Sequence, residues 1–272
     1  MNEHVVVRNE LRSAIDQHQF VPYFQRQVNQ DLQVIGVEVL LRWKHPQRGV
    51  VLPGSFIPLA EETGMIVPIG HWVLQAACTQ LKAWERCAAT RALRLAVNIS
   101  AREFNDSGFM ERAKQALTAT AIDPARLTLE ITESVVLDVD DAVTKMSALS
   151  FLGVRFSMDD FGSGYSSLSS LTKLPLHQLK IDGSFVCNIG RQPSNEGVVQ
   201  AIIAMAKALN IEVIAEGVET EQQHLFLEQN GCRLFQGYLY GQPVPIEEFE
   251  AQLVQSQSSS DVRTRPATPL PG

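Results

Sequence analysis

Two patterns of apolar and polar residues alternate along most of the chain. Short runs rich in β-branched and aromatic residues predict strands, and longer runs with apolar residues three or four apart predict helices. The predicted strands are LRLAVNIS (93–100), RLTLEIT (126–132), VRFSMDD (154–160), LHQLKID (176–182), IEVIAEG (211–217) and CRLFQGY (232–238). The helices between them include MERAKQALTAT (110–120), VTKMSALSF (143–151) and EGVVQAIIAMAKALN (196–210). This alternation is typical of a parallel sheet covered by helices.

Two more strands are predicted upstream, FVPYFQRQVN (20–29) and QVIGVEVLLRW (33–43). The turn NQD between them is of the hairpin type, so we expect this pair to be antiparallel. Helices are predicted at 55–64 and 71–87. Eight strands with alternating helices predict an α/β fold, a (β/α)8 TIM-type barrel with an antiparallel strand near the N-terminus. A doubly wound open sheet is the alternative.

Composition sets the limits of this interpretation. A chain of 272 residues with 45% hydrophobic residues can form one barrel, which we place at residues 1–254. Residues 255–272 are polar and proline-rich, and we expect them to be disordered. The net charge of -7 argues against non-specific binding to DNA or to an anionic membrane. Scattered cysteines, no secretory pattern and no bilayer-spanning run indicate a cytoplasmic location.

One polar residue ends nearly every strand, and all of these residues share one phase of the strand alternation. In LTLEI, for example, Thr128 and Glu130 alternate with Leu127, Leu129 and Ile131. In a barrel the apolar phase meets the helices, and the other phase points inward at the mouth formed by the strand ends. The inward set is Glu38, Asn98, Glu130, Asp159, Lys180, Glu216 and Gln236.

Acids gathered at one mouth repel each other unless cations compensate them. The residues include the oxygen ligands that Mg²⁺ or Mn²⁺ prefers, and the adjacent Asp159 and Asp160 could bridge two ions. We therefore predict a site for two metal ions. For any one of these acids alone, a helix cap or a loop salt bridge is the commoner explanation.

The motifs EVLLRW (38–43), VNIS (97–100), LEITES (129–134), DDFGSGYSSL (159–168), LKID (179–182), AEGVE (215–219) and QGY (236–238) occur in the order seen in EAL-domain cyclic di-GMP phosphodiesterases. The chain resembles this family from about residue 7 to about residue 252. The resemblance implies a (β/α)8 barrel with one antiparallel strand. It also implies hydrolysis of cyclic di-GMP to linear pGpG with Mg²⁺ or Mn²⁺.

The resemblance further implies roles for individual residues. Glu38, Asn98, Glu130 and Asp159 resemble ligands of one metal, and Asp159, Asp160 and Glu216 resemble ligands of a second. Lys180 resembles the lysine that positions the attacking water, and Glu216 is also a candidate general base. Glu133 resembles the glutamate that holds the loop after Asp160. The positions that resemble substrate-contacting or substrate-organising residues are Gln25, Leu40, Arg42, Glu219 and Gln236.

The chain departs from the family pattern at a few positions. The signature reads EVL, with Val39 in an outward phase where we expect the change to be tolerated. Arg26 and Gln27 are unusual after Gln25 and could alter the strand edge or substrate affinity, and Ser163 replaces a commoner threonine. None of these changes removes a metal ligand.

Two other functions compete with the enzyme. One is a catalytically silent cyclic di-GMP receptor, although this chain keeps every acid that the motif contains. The other is an enolase-type barrel, which would abstract a proton and against which the motif order argues. The family also implies a homodimer and frequent fusion to sensory or diguanylate cyclase domains.

Overall fold

The computed structural model describes residues 3–162 and 168–263. Its strands form one sheet in the order β1-β9-β8-β7-β6-β5-β4-β2-β3, and the pairing of β1 with β2 closes eight of them into a barrel. The strands are β1 (Phe20–Asn29), β2 (Val34–His45), β3 (Gly49–Val51), β4 (Arg94–Ile99), β5 (Leu127–Thr132), β6 (Arg155–Phe161), β7 (Gln178–Ile181), β8 (Glu212–Ala215) and β9 (Leu234–Gln236). The predicted TIM-type barrel is confirmed, and the open sheet is excluded.

The first barrel strand runs against its neighbours. β1 pairs antiparallel with β2, with Gln25 opposite Glu38, and antiparallel with β9, with Gln27 opposite Gln236. From β2 through β4 to β9, the remaining barrel pairs are parallel. The predicted hairpin is therefore present, and it places two glutamines of one strand beside the C-terminal ends of the parallel strands.

Helices cover the outside of the barrel. They are α1 (Glu3–Asp16), α2 (Ile57–Thr63), α3 (Ile66–Trp84), α4 (Ala101–Phe104), α5 (Phe109–Thr120), α6 (Val139–Phe151), α7 (Leu168–Leu171), α8 (Gly183–Val186), α9 (Pro193–Ala208), α10 (Glu221–Gln229) and α11 (Ile246–Arg263). Short 3-10 turns occupy Pro53–Ser55, Pro124–Arg126 and Glu133–Leu137. No helix in the described part of the chain is long and apolar enough to cross a bilayer.

The core lies between the barrel and its helices, and the predicted strand phase is correct. Val97, Leu129, Phe156 and Leu179 are each fully buried on the helix side. Val39 is 4% exposed in the same layer, so the EVL signature places its altered residue in the apolar core. Burial of these side chains stabilises the fold by about 1.5–3 kcal/mol each, and it fixes which residues point inward.

The C-terminal helix differs from the sequence prediction. Residues 255–263 were expected to be disordered, but α11 continues through them to Arg263. The chain offers no proline or glycine to stop a helix before Pro266, and this explains the extension. Residues 264–272 lie outside the described residues. The other elements that the patterns did not predict include α1, β3 and α10.

Candidate active site

Lys180 lies at the centre of the acids that share the inward-pointing phase of the strands. Its Nζ lies 2.6 Å from Glu216 Oε1 and 2.7 Å from Glu130 Oε2. It is also 3.2 Å from Asp159 Oδ1 and 3.5 Å from Glu38 Oε2. The Lys180 side chain is 1% exposed. Four parallel strands, or the residue just after them, thus direct their charges at one buried point.

Neutral side-chain amides orient Glu38. Asn98 Nδ2 donates to Glu38 Oε1 at 2.6 Å, and Gln236 Nε2 donates to Glu38 Oε2 at 2.6 Å. The seven residues that share the inward phase therefore form one connected network. Glu38 is 5% exposed and Gln236 is 3% exposed, so these hydrogen bonds are shielded from water.

Asp160 reaches the same site through an irregularity in β6. The pairing of β6 with β7 shifts register between Met158 and Phe161, and Asp160 has a φ of 53°. Aspartate adopts this left-handed conformation more readily than most residues. In a regular strand Asp160 would point away from Asp159, but here carboxylate oxygens of Asp159, Asp160 and Glu216 lie within 4.8 Å of one another.

The crowding of acids shifts their protonation. Burial and the neighbouring Glu38 charge raise the pKa of Glu130 well above its usual range. Burial raises the pKa of Glu216 to about 8, and burial with the Asp159 charge raises the pKa of Asp160 to about 6. Burial alone would lower the pKa of Lys180, but the surrounding carboxylates outweigh it and raise the pKa. The site thus has more negative charge than one lysine compensates.

The donor set fits a hard cation. Glu130 Oε1 is a buried oxygen without a hydrogen-bond partner among the described residues, although its charge is costly in that position. The carboxylates of Asp159, Asp160 and Glu216 converge closely enough to share one ion. Oxygen-only ligands of this kind suit Mg²⁺ or Mn²⁺ rather than zinc.

Glu133 lies at the entrance to this site. It begins the 3-10 turn that follows β5, and its Oε1 accepts a hydrogen bond of 3.4 Å from the Gly162 backbone N–H. Gly162 follows the paired aspartates directly in sequence. A contact between Glu133 and the loop backbone was predicted, although residues 163–167 lie outside the described residues.

A cavity opens beside the acids. Gln25, Leu40, Glu219 and Gln236 line it together with Glu38 and Glu216. Four of the five predicted substrate positions are thus brought together. Arg42 does not line this cavity; it lies farther along β2, with its guanidinium 5.4 Å from the centre of the Tyr23 ring.

The sequence analysis did not assign two residues that the structure places here. Asp182 hydrogen-bonds to Asp160 and adds to the rise in its pKa, and it lies within the LKID motif. Tyr238 borders the cavity and is 59% exposed. It follows Gly237, where a Cβ would lie 2.1 Å from the Val218 carbonyl oxygen, so the QGY motif requires glycine at this position. Both residues could have been found as polar members of motifs already recognised.

A second cavity runs from Leu40 and Asn98 between α2 and α3. At its inner side lies Glu103, 2% exposed, whose carboxyl fills the space that a side chain at Gly70 would occupy. Burial raises the pKa of Glu103 to about 8. This acid belongs to α4 and stands apart from the network around Lys180.

The two unusual residues of β1 lie on opposite faces of the strand. Gln27 points into the barrel, where its Nε2 donates to Gln236 Oε1 at 3.0 Å. Arg26 points outward, donates to Gln252 of α11 and lies against Gly241. Both substitutions are therefore accommodated by specific contacts.

Carboxylates, an amide and a lysine thus meet at the C-terminal mouth of a TIM-type barrel, the end at which barrels of this class carry their active sites. Comparison with known proteins identifies the group. Residues 8–243 match the EAL domain family, and the chain belongs to that family.

Two curated relatives illustrate the similarity. The bifunctional diguanylate cyclase/cyclic di-GMP phosphodiesterase MucR of Pseudomonas aeruginosa is 42% identical over 253 residues, covering 92% of this chain and 37% of the relative. The cyclic di-GMP phosphodiesterase PdeR of Escherichia coli is 39% identical over 249 residues, covering 91% of this chain and 37% of the relative. The chain thus spans less than two-fifths of the length of these relatives.

Solved structures agree with the family assignment. A complex of the PaMucR phosphodiesterase with c-di-GMP superposes with a TM-score of 0.87 at 42% identity, covering 90% of this chain and 99% of that one. The EAL domain of FimX from Pseudomonas aeruginosa, bound to c-di-GMP, has a TM-score of 0.78 at 26% identity, covering 89% and 97% of the two chains.

Proposed function

We propose that this chain is a metal-dependent phosphodiesterase that hydrolyses cyclic di-GMP to linear pGpG and so lowers this bacterial second messenger. The convergence of four carboxylates on Lys180, beside an open cavity, carries the proposal. The names of the relatives MucR and PdeR, and the complex of PaMucR with c-di-GMP, support the choice of substrate.

The acids divide into two groups around Asp159. In our assignment Glu38, Asn98, Glu130 and Asp159 hold one ion, and Asp159, Asp160 and Glu216 hold a second. The orphaned Glu130 oxygen and the close approach of the second group support this division. Asn98 donates to Glu38 through Nδ2, so its Oδ1 is the atom that a cation would take.

Two Mg²⁺ or Mn²⁺ ions held in this way would activate a water and neutralise charge on the phosphate oxygens. Lys180 is placed to hold the attacking water, because its ammonium group lies among the acids that would surround it. Glu216 Oε1 lies 2.6 Å from Lys180 Nζ, beside the place assigned to the attacking water, so this carboxylate could accept a proton from that water. Glu216 therefore has two roles open to it, as metal ligand and as general base.

The substrate would lie in the cavity beside the acids. Gln25, Glu219 and Gln236 offer polar groups to a guanine base or to ribose, and Leu40 offers an apolar surface. Arg42 lies on the same face of β2 as Glu38 and Leu40, at the strand end beyond them. A guanidinium at that position suits a phosphate oxygen at the outer end of an extended nucleotide.

We propose a cytoplasmic location, a homodimer, and regulation by a sensory or diguanylate cyclase domain. The free state of Cys78, Cys87, Cys187 and Cys232 supports a reducing compartment. The greater length of MucR and PdeR supports attachment to further domains.

The direct test is product formation. With Mg²⁺ or Mn²⁺ the purified chain should convert cyclic di-GMP to pGpG, seen by chromatography, and a chelator should stop the reaction. Glu38→Gln should abolish turnover, whereas Glu103→Gln, the same change at a buried acid outside the network, should retain it. Binding of cyclic di-GMP without turnover in either metal would instead support a receptor.

A further inference from the structure

Three glutamines on the neighbouring strands β1 and β9 form a chain of hydrogen bonds inside the barrel. Gln27 Nε2 donates to Gln236 Oε1 at 3.0 Å, and Gln236 Nε2 in turn donates to Gln25 Oε1 at 3.1 Å. All three side chains are buried, with exposures of 6% for Gln27, 3% for Gln236 and 7% for Gln25. Gln27 and Gln236 are also direct partners in the β1–β9 pairing, so the backbone fixes their separation.

The amide of Gln236 has to point one way for this site to work. A primary amide is an acceptor at one end and a donor at the other, and a half-turn exchanges the two. In the observed orientation the donor end faces Glu38 Oε2 at 2.6 Å and Gln25 Oε1, while the acceptor end faces Gln27. The two acceptors at the donor end and the Gln27 donor at the acceptor end all favour this orientation, whereas an acceptor at position 27 would oppose it.

We infer that Gln27 is a positioning residue that holds the acceptor end of the Gln236 amide, and through it supports the positions of Gln25 and Glu38. This inference rests on the proposed function, because Gln25 and Gln236 are assigned there to the substrate. Gln27 itself does not line the cavity beside the acids; it lines a small space on the other side of the barrel interior, with Gln178. It would therefore act on the substrate only through Gln236.

The end of the Gln25 side chain is held from the other side. Gln25 Nε2 donates to the Gly241 carbonyl oxygen at 3.2 Å, and Gly241 belongs to the segment that follows Tyr238. The amides of Gln25 and Gln236 thus each have both ends engaged. Loss of the Gln27 donor would leave the acceptor end of Gln236 unpaired in a buried position, so that the amide would be held only at its donor end.

Two substitutions separate orientation from packing. Gln27→Met preserves length and flexibility but removes the donor. Gln27→Glu preserves shape and replaces the donor by an acceptor, which favours the reversed amide. We expect KM for cyclic di-GMP to rise about 3- to 10-fold in Gln27→Met, the factor that one net hydrogen bond carries, with a smaller change in kcat. The rise should be larger in Gln27→Glu.

Gln178 supplies the matched control. It is a buried glutamine in the same space below the acids, but its Oε1 contacts Ser157 Oγ at 3.3 Å rather than Gln236. Gln178→Met should cost comparable stability in a thermal melt and leave KM unchanged. In a Gln236→Met background, Gln27→Met should have no further effect on KM, because the residue through which it acts has been removed.

A measurement without substrate keeps this inference separate from the proposed function. In the metal-free protein, the side-chain amide protons of Gln236, followed by NMR with ¹⁵N-glutamine, should exchange slowly in the parent and in Gln178→Met, and faster in Gln27→Met. If the parent fails to hydrolyse cyclic di-GMP while these exchange rates differ as stated, the proposed function fails and the positioning role stands. Unchanged exchange and unchanged KM in both folded Gln27 variants would overturn the inference.

Discussion

Replacing Lys180 with methionine tests whether the acids depend on one buried cation. Among the described residues, no other cationic side chain forms an ion pair with Glu38, Glu130, Asp159 or Glu216. Methionine has nearly the same length and leaves little cavity, so the main change is electrostatic. The metal-free protein would then keep several buried carboxylates with no positive partner.

The size of the effect follows from the contacts. The two shortest, at 2.6 and 2.7 Å, are charge-assisted hydrogen bonds worth about 1.5–3 kcal/mol each. Removing the lysine also removes the cost of desolvating it, so the net loss of stability is smaller than the two contacts added together. The cost that is typical when one partner of a buried ion pair is removed, about 3–5 kcal/mol, agrees with this. For 272 residues the unfolding entropy is about 0.6 kcal/mol per kelvin, so the melting temperature should fall by about 5–9 °C.

The loss of stability in Lys180→Met should also depend on pH. A carboxyl whose folded pKa lies above its unfolded value contributes stability at low pH and loses it as the pH rises through the folded pKa. Glu216, with an ordinary pKa of 4.5 raised to about 8, sets this window in the parent. Without Lys180 the pKa of Glu38, which the lysine holds below its usual range against the effect of burial, would rise, so the stability lost in the variant should grow as the pH rises from 5 to 8.

The assay is thermal unfolding in a chelator at pH 5 and pH 8. Lys82→Met, which removes a surface lysine 2.8 Å from Glu85, is the control and should change stability by less than about 1 kcal/mol. If Lys180→Met and the parent had the same melting temperature at pH 8, the acids would not depend on this lysine, and the electrostatic account of the site would be refuted.

Three further predictions concern other parts of the molecule. Glu133→Ala should lower turnover by about 10- to 100-fold and raise the metal concentration needed for half-activity. Glu133→Gln still offers an acceptor to Gly162 and should retain more activity. Parental kinetics in the alanine variant would refute the loop-anchoring role. Glu103→Gln should gain stability relative to the parent as the pH rises from 5 to 8, because the parent acid has a folded pKa of about 8; parallel stability curves would contradict this. A chain ending at Gln255 should keep parental activity, since Leu253 is the last side chain of α11 described as buried; a large loss of rate would show that the remaining residues dock.

Strand alternation predicted most of the fold and much of the candidate site. The inward phase of LTLEI correctly placed Glu130 in the barrel, because the apolar phase has to meet the helices in any closed barrel. The same argument would place Asp160 on the outside, next to Asp159 in sequence. Only the register shift and positive φ of β6 turn it inward, and alternation cannot anticipate a bulge.

Arg42 shows the opposite limit. Its phase on β2 is that of Glu38, yet it lies beyond Leu40 and does not line the cavity, although it is near enough to interact electrostatically with Glu38 and Tyr238. Strand phase predicts which way a side chain points but not which side chains border a cavity. The helical extension of α11 was missed for a different reason. A polar, serine-rich sequence lacks the apolar period that predicts a helix, but without proline it can still continue one that Phe249 and Leu253 have already docked.

Charge and position are set by different residues in this site. Glu38 is held by the side-chain amides of Asn98 and Gln236, which lie on two other strands. Both amides are neutral and stay neutral when a cation binds. Lys180 supplies the compensating charge, and its 3.5 Å contact with Glu38 is the longest of its four. The shortest hydrogen bonds to Glu38 therefore come from neutral amides, and cations could take over part of the compensation while these hydrogen bonds stay in place. Such preorganisation avoids the cost of ordering a ligand at the moment of binding.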